Sequence, residues 1–464
     1  MISMELILQQ LMKNLKEILE ESPNLLSKEG LSGFILQLNK LKNDALCELV
    51  GEVLTQLDAE LKKDSERRKT YEVKGKYEKS IETTLGQITY ERTYYKHKKT
   101  KENKYLLDEL INVTPHMKKT KNIEARLMNE AADLSYFKSG KKVSEASDFS
   151  STTVMNTIRS LEPIPNDAVK IKEKNKKVKT LYIEADEDHV AKQKGKQVEP
   201  KLVYVHEGYE ENKGISDRKK LKNVRYFSGV YSNSDKLWEE VLDYLDAAYD
   251  LDAVNKIYLS GDAALWIRNG VNWIPDSKYV LDRYHLAKYV RKMTAHLHKS
   301  YEKYFWELLE DDKKEALYLL LEKIKNETER ETKLKTVNES IRYIKKHYKA
   351  IRRYYNDDYI GCSAEAHVSH LLSDRLSSRP LGWSRIGVDL MARLRVFIAN
   401  GGNIYAYVMS QLKKTIKENK HVKMIKRMNK NVKSKMKETI FNVKIPVISF
   451  GKTSGTYHAV NGLR

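Results

Sequence analysis

The sequence predicts an α/β protein: a mixed sheet flanked by helices, carrying an all-helical insertion and preceded by a mainly helical region with one β-hairpin. Three observations predict it. Five short runs rich in β-branched and aromatic residues lie close together: Thr180–Ala185, Lys201–His206, Val224–Tyr231, Lys256–Ser260 and Lys278–Leu281. The first three follow one another directly and the last two alternate with helical patterns, which is how a mixed sheet reads. From about Tyr284 to Tyr355 the chain turns helical and heavily charged with no strand pattern, as a module inserted into such a domain would.

In chain order, Leu8, Leu11, Leu15, Ile18 and Leu19 form one helical face, and Pro23 is expected to end that helix. A second helix is expected from about Lys28 to Leu61, with Phe34, Leu38, Leu41, Ala45, Leu49, Val53 and Leu57 as its stripe. Ile81, Thr83, Ile88, Tyr90, Thr93 and Tyr95 then alternate around Leu85-Gly86 as a hairpin. Lys96, His97, Lys98, Lys99 and Lys101 follow it, either to grip phosphate or to protect an exposed edge. Three short helices are expected at about 122–137, 140–147 and 151–160, the last capped by Ser150 or Ser151. They form a helix-turn-helix or plain helical packing. Pro163, Pro165 and the basic connector Lys170–Lys179 mark a boundary.

Beyond it, Asp235–Tyr249 is an amphipathic helix, a helix starts at Ala263, and another runs from about Ser363 to Leu376. The expected domains are an N-terminal helical region (1–70), a hairpin-plus-helix region (71–165), an α/β domain (178–400) with its insertion at about 290–358, and a basic C-terminal region (401–464).

The 464 residues carry 85 Lys+Arg against 64 Asp+Glu, a net charge of +21 and a pI near 9.4. So large a basic excess on a folded chain points to a polyanion, with DNA or RNA first. Cys47 and Cys362, the two cysteines, exclude a disulfide scaffold and a Cys-based zinc cluster. No apolar run approaches a membrane span, so a cytoplasmic protein is expected.

Three carboxylates stand out, two of them at strand ends, where an open α/β sheet builds its site. Asp186 ends the first strand of the α/β region, Asp262 ends a later one, and Glu365 opens the helix after the insertion. They are hard oxygen donors of the kind Mg²⁺ or Mn²⁺ takes, and a site holding two such ions can activate one oxygen and stabilise another. Each also has a plain structural reading: a solvated strand end for Asp186, a helix cap for Asp262, and a first-turn acid favoured by the helix dipole for Glu365.

The text around them resembles the transposase core of the bacterial ISLre-type insertion sequences. The resemblance lies in Tyr182-Ile183-Glu184-Ala185-Asp186-Glu187-Asp188-His189, in Leu259-Ser260-Gly261-Asp262, in Leu281-Asp282-Arg283-Tyr284-His285-Leu286, and above all in Gly361-Cys362-Ser363-Ala364-Glu365-Ala366-His367-Val368-Ser369-His370 with Arg375, Ser377-Ser378-Arg379-Pro380 and Gly382-Trp383-Ser384. The hairpin and Leu106-Leu107-Asp108-Glu109 resemble that group's N-terminal half. The group is similar to the Mutator-like transposases. The resemblance implies an RNase H-like catalytic core with a helical insertion, a DDE triad of Asp186, Asp262 and Glu365 as catalytic metal ligands, and two ions of Mg²⁺ or Mn²⁺ as cofactor. It also implies terminal inverted repeats and target DNA as partners, a homo-oligomer on DNA, and a bacterial, nucleoid-associated location. Asp282 and His285 match its Asp-x-x-His signature and are expected near the site, or else as a buried His bonded to its Asp. Asp188 is a spare ligand beside Asp186; where the group often has glycine after the first aspartate, this chain has Glu187.

Arg375, Arg379, Arg393 and Arg395, with Trp383, follow the glutamate and either hold DNA phosphate or form structural ion pairs. Lys413 to Lys437 contains eleven Lys/Arg and one acid, Glu418, so Lys413, Lys414, Lys426 and Arg427 are expected to contact the DNA backbone or to line a solvated helix. A tyrosine recombinase is excluded, because none of the twelve histidines is followed three positions later by arginine. A non-catalytic DNA-binding descendant of a transposase is the remaining alternative.

Overall fold

The computed structural model describes residues 2–144, 148–210, 220–379 and 382–417. The chain forms two compact units, one comprising the residues up to Glu130, Tyr136–Val154 and the segment from Ile404, the other Ala131–Ser135 and Met155–Asn403.

The first unit opens with the long helical stretch α1 (Ile2–Lys63). Pro23 lies within it, so the expected break there is misplaced. The chain departs from helical geometry at Gly30 (φ 66°, ψ −173°), a left-handed conformation that glycine adopts without a Cβ penalty. The short α2 (Ser65–Thr70) is capped by Asp64 and leads into the expected hairpin, β1 (Tyr71–Glu82) and β2 (Gln87–His97), turning at Gly86. A third strand, β3 (Asn103–Tyr105), pairs with β2, and α3 (Leu106–Ile111) follows. The sheet packs on the end of α1: Asp58 accepts from the Thr93 amide at 3.0 Å, and a Cβ on Gly51 would stand 2.3 Å from the Thr89 carbonyl. Arg92, one of the hairpin's basic groups, is an internal tie that pairs with Asp108 and lies 3.6 Å over the Tyr105 ring. Lys98, Lys99 and Lys101 are exposed. The helices α4 (Lys121–Asp133), α5 (Tyr136–Lys142) and α6 (Ser151–Arg159) follow, with Ser150 capping α6 through the Thr153 amide.

The second unit holds the mixed sheet: β4 (Thr180–Glu187), β5 (Lys201–His206), β6 (Arg225–Gly229), β7 (Lys256–Gly261) and β8 (Ser277–Leu281), with α7 (Asp235–Ala248) before β7 and α8 (Leu265–Arg268) after it. In space the order is β6-β5-β4-β7-β8. The β4–β5 and β5–β6 pairs are antiparallel, and β4–β7 and β7–β8 are parallel. The insertion is four helices, α9 (Arg283–Thr294), α10 (Ser300–Glu310), α11 (Lys314–Asn326) and α12 (Glu331–Arg352). After it come α13 (Ala364–Val368), a π-helical turn (Ser369–Ser373), α14 (Asp374–Leu376), α15 (Arg385–Ala399) and, in the first unit, α16 (Ile404–Lys417).

Both sheet faces are buried, but differently. Leu181, Ile183, Ala185, Val203, Val205, Leu259 and Leu281 form the aliphatic core with α7 and the insertion helices. The alternate positions, Tyr182, Glu184, Asp186, Tyr204, His206, Tyr258 and Ser260, make a second buried face of aromatic and polar groups. The exposed edge of β6 is closed by side chains, with Asn400 and Asn166 each bonding both to an amide and to a carbonyl of that strand.

Candidate active site

Asp186 and Asp262 sit at the carboxyl ends of neighbouring parallel strands, where the register pairs Ala185 with Gly261. The strands approach closely there: a Cβ on Gly261 would lie 2.4 Å from the Ala185 carbonyl oxygen. Asp186 is buried and its Oδ1 accepts from the Glu187 amide at 2.9 Å. Asp262 is half-buried; its Oδ1 accepts from the Ala264 amide at 2.7 Å, so it also caps the turn into α8, which starts at Leu265 rather than at Ala263. Glu365 is exposed on α13.

The three meet electrostatically. Burial, first, raises the Asp186 carboxyl to about 7; the Glu187 amide and His285 oppose the rise, and the charges of Glu365 and Asp262 add to it. The charges of two carboxylates from distant points of the sequence, Asp262 and Glu365, therefore act on Asp186 at this sheet edge. Oxygen donors alone are what a hard divalent cation takes, and the unneutralised charge at Asp186 is what such an ion would offset. The donor chemistry thus fits, although no three His, Cys, Asp or Glu side chains among the described residues form a ready-made metal cage.

Asp282 and His285 are at the site. Asp282 caps α9 through the Tyr284 amide at 3.1 Å, and its other oxygen lies 3.0 Å from His285 Nδ1. That hydrogen bond, chiefly, raises the His285 pKa, with Asp186 and Asp262 contributing. Asp282→Asn should keep the cap yet lower the His285 pKa, read by NMR titration of the imidazole. An unchanged value would remove Asp282 as its cause. Asp282→Ala should in addition cost about 1 kcal/mol for the lost cap.

Asp188 is buried, accepting from Ser377 Oγ at 2.9 Å, while its Oδ2 has no hydrogen-bond partner. Glu187 bonds the Trp266 indole and lies 3.7 Å from Lys201, whose ammonium stands 4.1 Å over the Trp266 ring. Burial lowers the Lys201 pKa, opposed by Glu187, Glu199 and Asp262. Lys201 is thus a buried cation beside the acidic cluster that sequence reasoning missed; its position at a strand start carries no motif.

The arginines after Glu365 are mostly internal ties. Arg375 is buried, donates to the Ala131 carbonyl at 2.8 Å and lies 4.9 Å over the Trp383 ring. Arg393 pairs with Asp389 at 3.1 Å, and Arg395 with Asp133 at 2.6 Å and the His370 carbonyl at 2.7 Å. These three take the structural reading, and Arg379 is exposed. Lys413 and Lys414 fall in α16, and Lys426 and Arg427 lie outside the described residues.

Fold and site together define a mixed α/β protein with an acidic cluster at the carboxyl ends of adjacent parallel strands and a helical insertion before its glutamate. The chain belongs to the uncharacterised protein family UPF0236, whose profile matches residues 25–414. It is similar to the UPF0236 protein TTE2489 of Caldanaerobacter subterraneus subsp. tengcongensis, 37% identical over 99% of this chain and 98% of that protein. It is also similar to a UPF0236 protein of the same genome whose single name joins eleven loci, 38% identical over 99% of this chain and 97% of that one. Among the described residues no helix is long and apolar enough to cross a membrane.

Proposed function

We propose that this protein is the DNA transposase of an insertion sequence, a DDE enzyme with an RNase H-like core resembling the ISLre type. The observation that carries the reading is the placing of Asp186 and Asp262 at the ends of adjacent parallel strands, with the charge of Glu365 also acting on Asp186. A single relative's name spanning eleven loci of one genome supports it, since a gene that moves leaves copies. The net charge of +21 suits a DNA partner.

In this reading Asp186, Asp262 and Glu365 hold the divalent cations. Bound there, Mg²⁺ or Mn²⁺ would activate the attacking oxygen and stabilise the leaving one in two in-line displacements, hydrolysis and 3′-hydroxyl strand transfer. The chain's part is to hold Asp186 and Asp262 on rigid strand ends, to exclude water from Asp186 by burial, and to keep the Asp282–His285 pair beside them. DNA ends would be bound through the N-terminal half, with two copies or more holding two ends.

The test incubates the protein with a labelled end of its own element and Mg²⁺ or Mn²⁺, beside Asp262→Asn. Metal-dependent nicking at the element boundary, lost in the variant, is expected. End binding without cleavage in either metal would overturn the catalytic reading in favour of a non-catalytic descendant.

A further inference from the structure

We propose that Glu184 is a positioning residue: its buried carboxylate fixes the start of α13 against the sheet and so sets where Glu365 stands. The inference rests on the reading of Glu365 as a metal ligand and names what holds that ligand in place.

Glu184 is 2% exposed and lies two residues before Asp186, on the same face of β4. One oxygen lies 2.9 Å from His206 Nε2. The other accepts from the Tyr204 hydroxyl, from the Ser363 amide at 2.5 Å and from Ser363 Oγ at 3.2 Å. Burial alone would raise its pKa, but His206, Tyr204 and Ser363 outweigh burial and hold it below the usual range. A carboxylate this deep is tolerated only when its oxygens are saturated with donors.

What the network grips is the beginning of α13. The Ser363 carbonyl accepts the first helical bonds, from Ala366 at 3.0 Å and His367 at 3.1 Å, and Glu365 follows two residues on. The helix has five residues and buries only Ala364 and Val368, so apolar packing gives it little purchase. Polar ties complete the hold: Tyr204 lies 2.9 Å from Ser363 Oγ, and His367 Nδ1 lies 3.0 Å from the Tyr226 hydroxyl. One strand thus carries both a ligand, Asp186, and an anchor, Glu184, that reaches across 179 positions to hold the start of the helix bearing a second, Glu365. That span joins Glu184 to Ser363.

The experiment uses the full chain and Glu184→Gln, which preserves shape and removes the charge. Amide exchange across 362–368 should quicken by about tenfold or more while β4, β5 and β7 stay protected. Mn²⁺ binding, measured by titration calorimetry, should weaken about 10- to 100-fold, the usual effect of removing an outer partner of a ligand. In a Glu365→Gln background the same change should cost no further Mn²⁺ affinity, because Glu184 acts through Glu365. Unchanged exchange in 362–368, or full additivity in that cycle, would overturn the proposal. If the wild type binds no Mn²⁺, the metal-ligand reading fails, and the exchange arm decides the anchoring by itself. Should Glu184→Gln not fold, Tyr204→Phe and Ser363→Ala each remove one donor and are read the same way.

Discussion

Asp186→Asn is expected to abolish metal-dependent strand cleavage, by about 10³-fold or more, while raising the melting temperature of the metal-free protein at pH 8. The first effect follows from the proposed role of Asp186 as a metal ligand; the second follows because this carboxyl is held near 7 by burial and by its acidic neighbours. In the unfolded chain it ionises near 3.8. The folded state therefore binds the proton more tightly, and stability falls as pH rises between those values, with the full penalty present above 7. Asparagine carries no charge and escapes that penalty. The gain in melting temperature over wild type should be largest at pH 8 and shrink toward pH 5.5. Saturating Mn²⁺ should close the gap by stabilising the wild type, because a cation neutralises what burial and repulsion penalise. An equal offset at both pH values in chelator would show that Asp186 carries no uncompensated charge in the fold.

The pairing of activity lost with stability gained separates this account from the bland one. A solvated strand-end aspartate would give neither effect, and a helix cap would lose stability on replacement. Asp262 is the useful contrast, since one of its oxygens caps the turn into α8. Its replacement should lose cleavage without the same gain in stability.

These residues differ in how far they could be read from sequence. The five strands are legible because they are short β-branched and aromatic runs, three of them stopped directly by Asp186, Gly261 and Asp282, and β5 and β7 fall within a residue of their expected bounds. β3 is not legible, because three residues carry no period and its pairing is supplied by β2. The Glu184 network stays hidden for a different reason. Strict alternation of aliphatic and polar residues usually marks a half-solvated strand. Here the polar face is covered too, so Glu184, Tyr204 and His206 look like surface residues and are buried. The arginines mislead in the opposite sense. Arg375 and Arg395 follow a catalytic-looking block and suggest phosphate contacts, yet both are tied inside the fold, Arg375 to the Ala131 carbonyl and Arg395 to Asp133 and the His370 carbonyl. Pro23 shows the limits of a local rule: the helix-breaker by chemistry is carried within α1, and the left-handed Gly30 marks the departure.

Gly261→Ala should damage the chemistry strongly although it leaves every candidate ligand in place. The added methyl would stand 2.4 Å from the Ala185 carbonyl oxygen and 3.0 Å from Ile267 Cγ2, and a backbone oxygen held in a parallel ladder cannot swing aside. Overpacking of this kind costs about 1–3 kcal/mol, measurable by urea denaturation. The effect on chemistry should exceed the effect on stability. The clash falls between Ala185 and Gly261, and the next residues are Asp186 and Asp262, so relieving it moves the two carboxylates relative to each other. A displacement of about 1 Å in a catalytic array costs on the order of 100-fold in rate. Gly270→Ala supplies the control. Its methyl would meet Trp238 at 2.6 Å and Leu259 at 2.7 Å, a clash against side chains with no candidate ligand adjoining. The two variants should lose comparable stability, but only Gly261→Ala should lose cleavage per folded molecule. If both keep full specific activity, the spacing of Asp186 and Asp262 does not govern the reaction, and the proposed division of labour between these two strand ends is wrong.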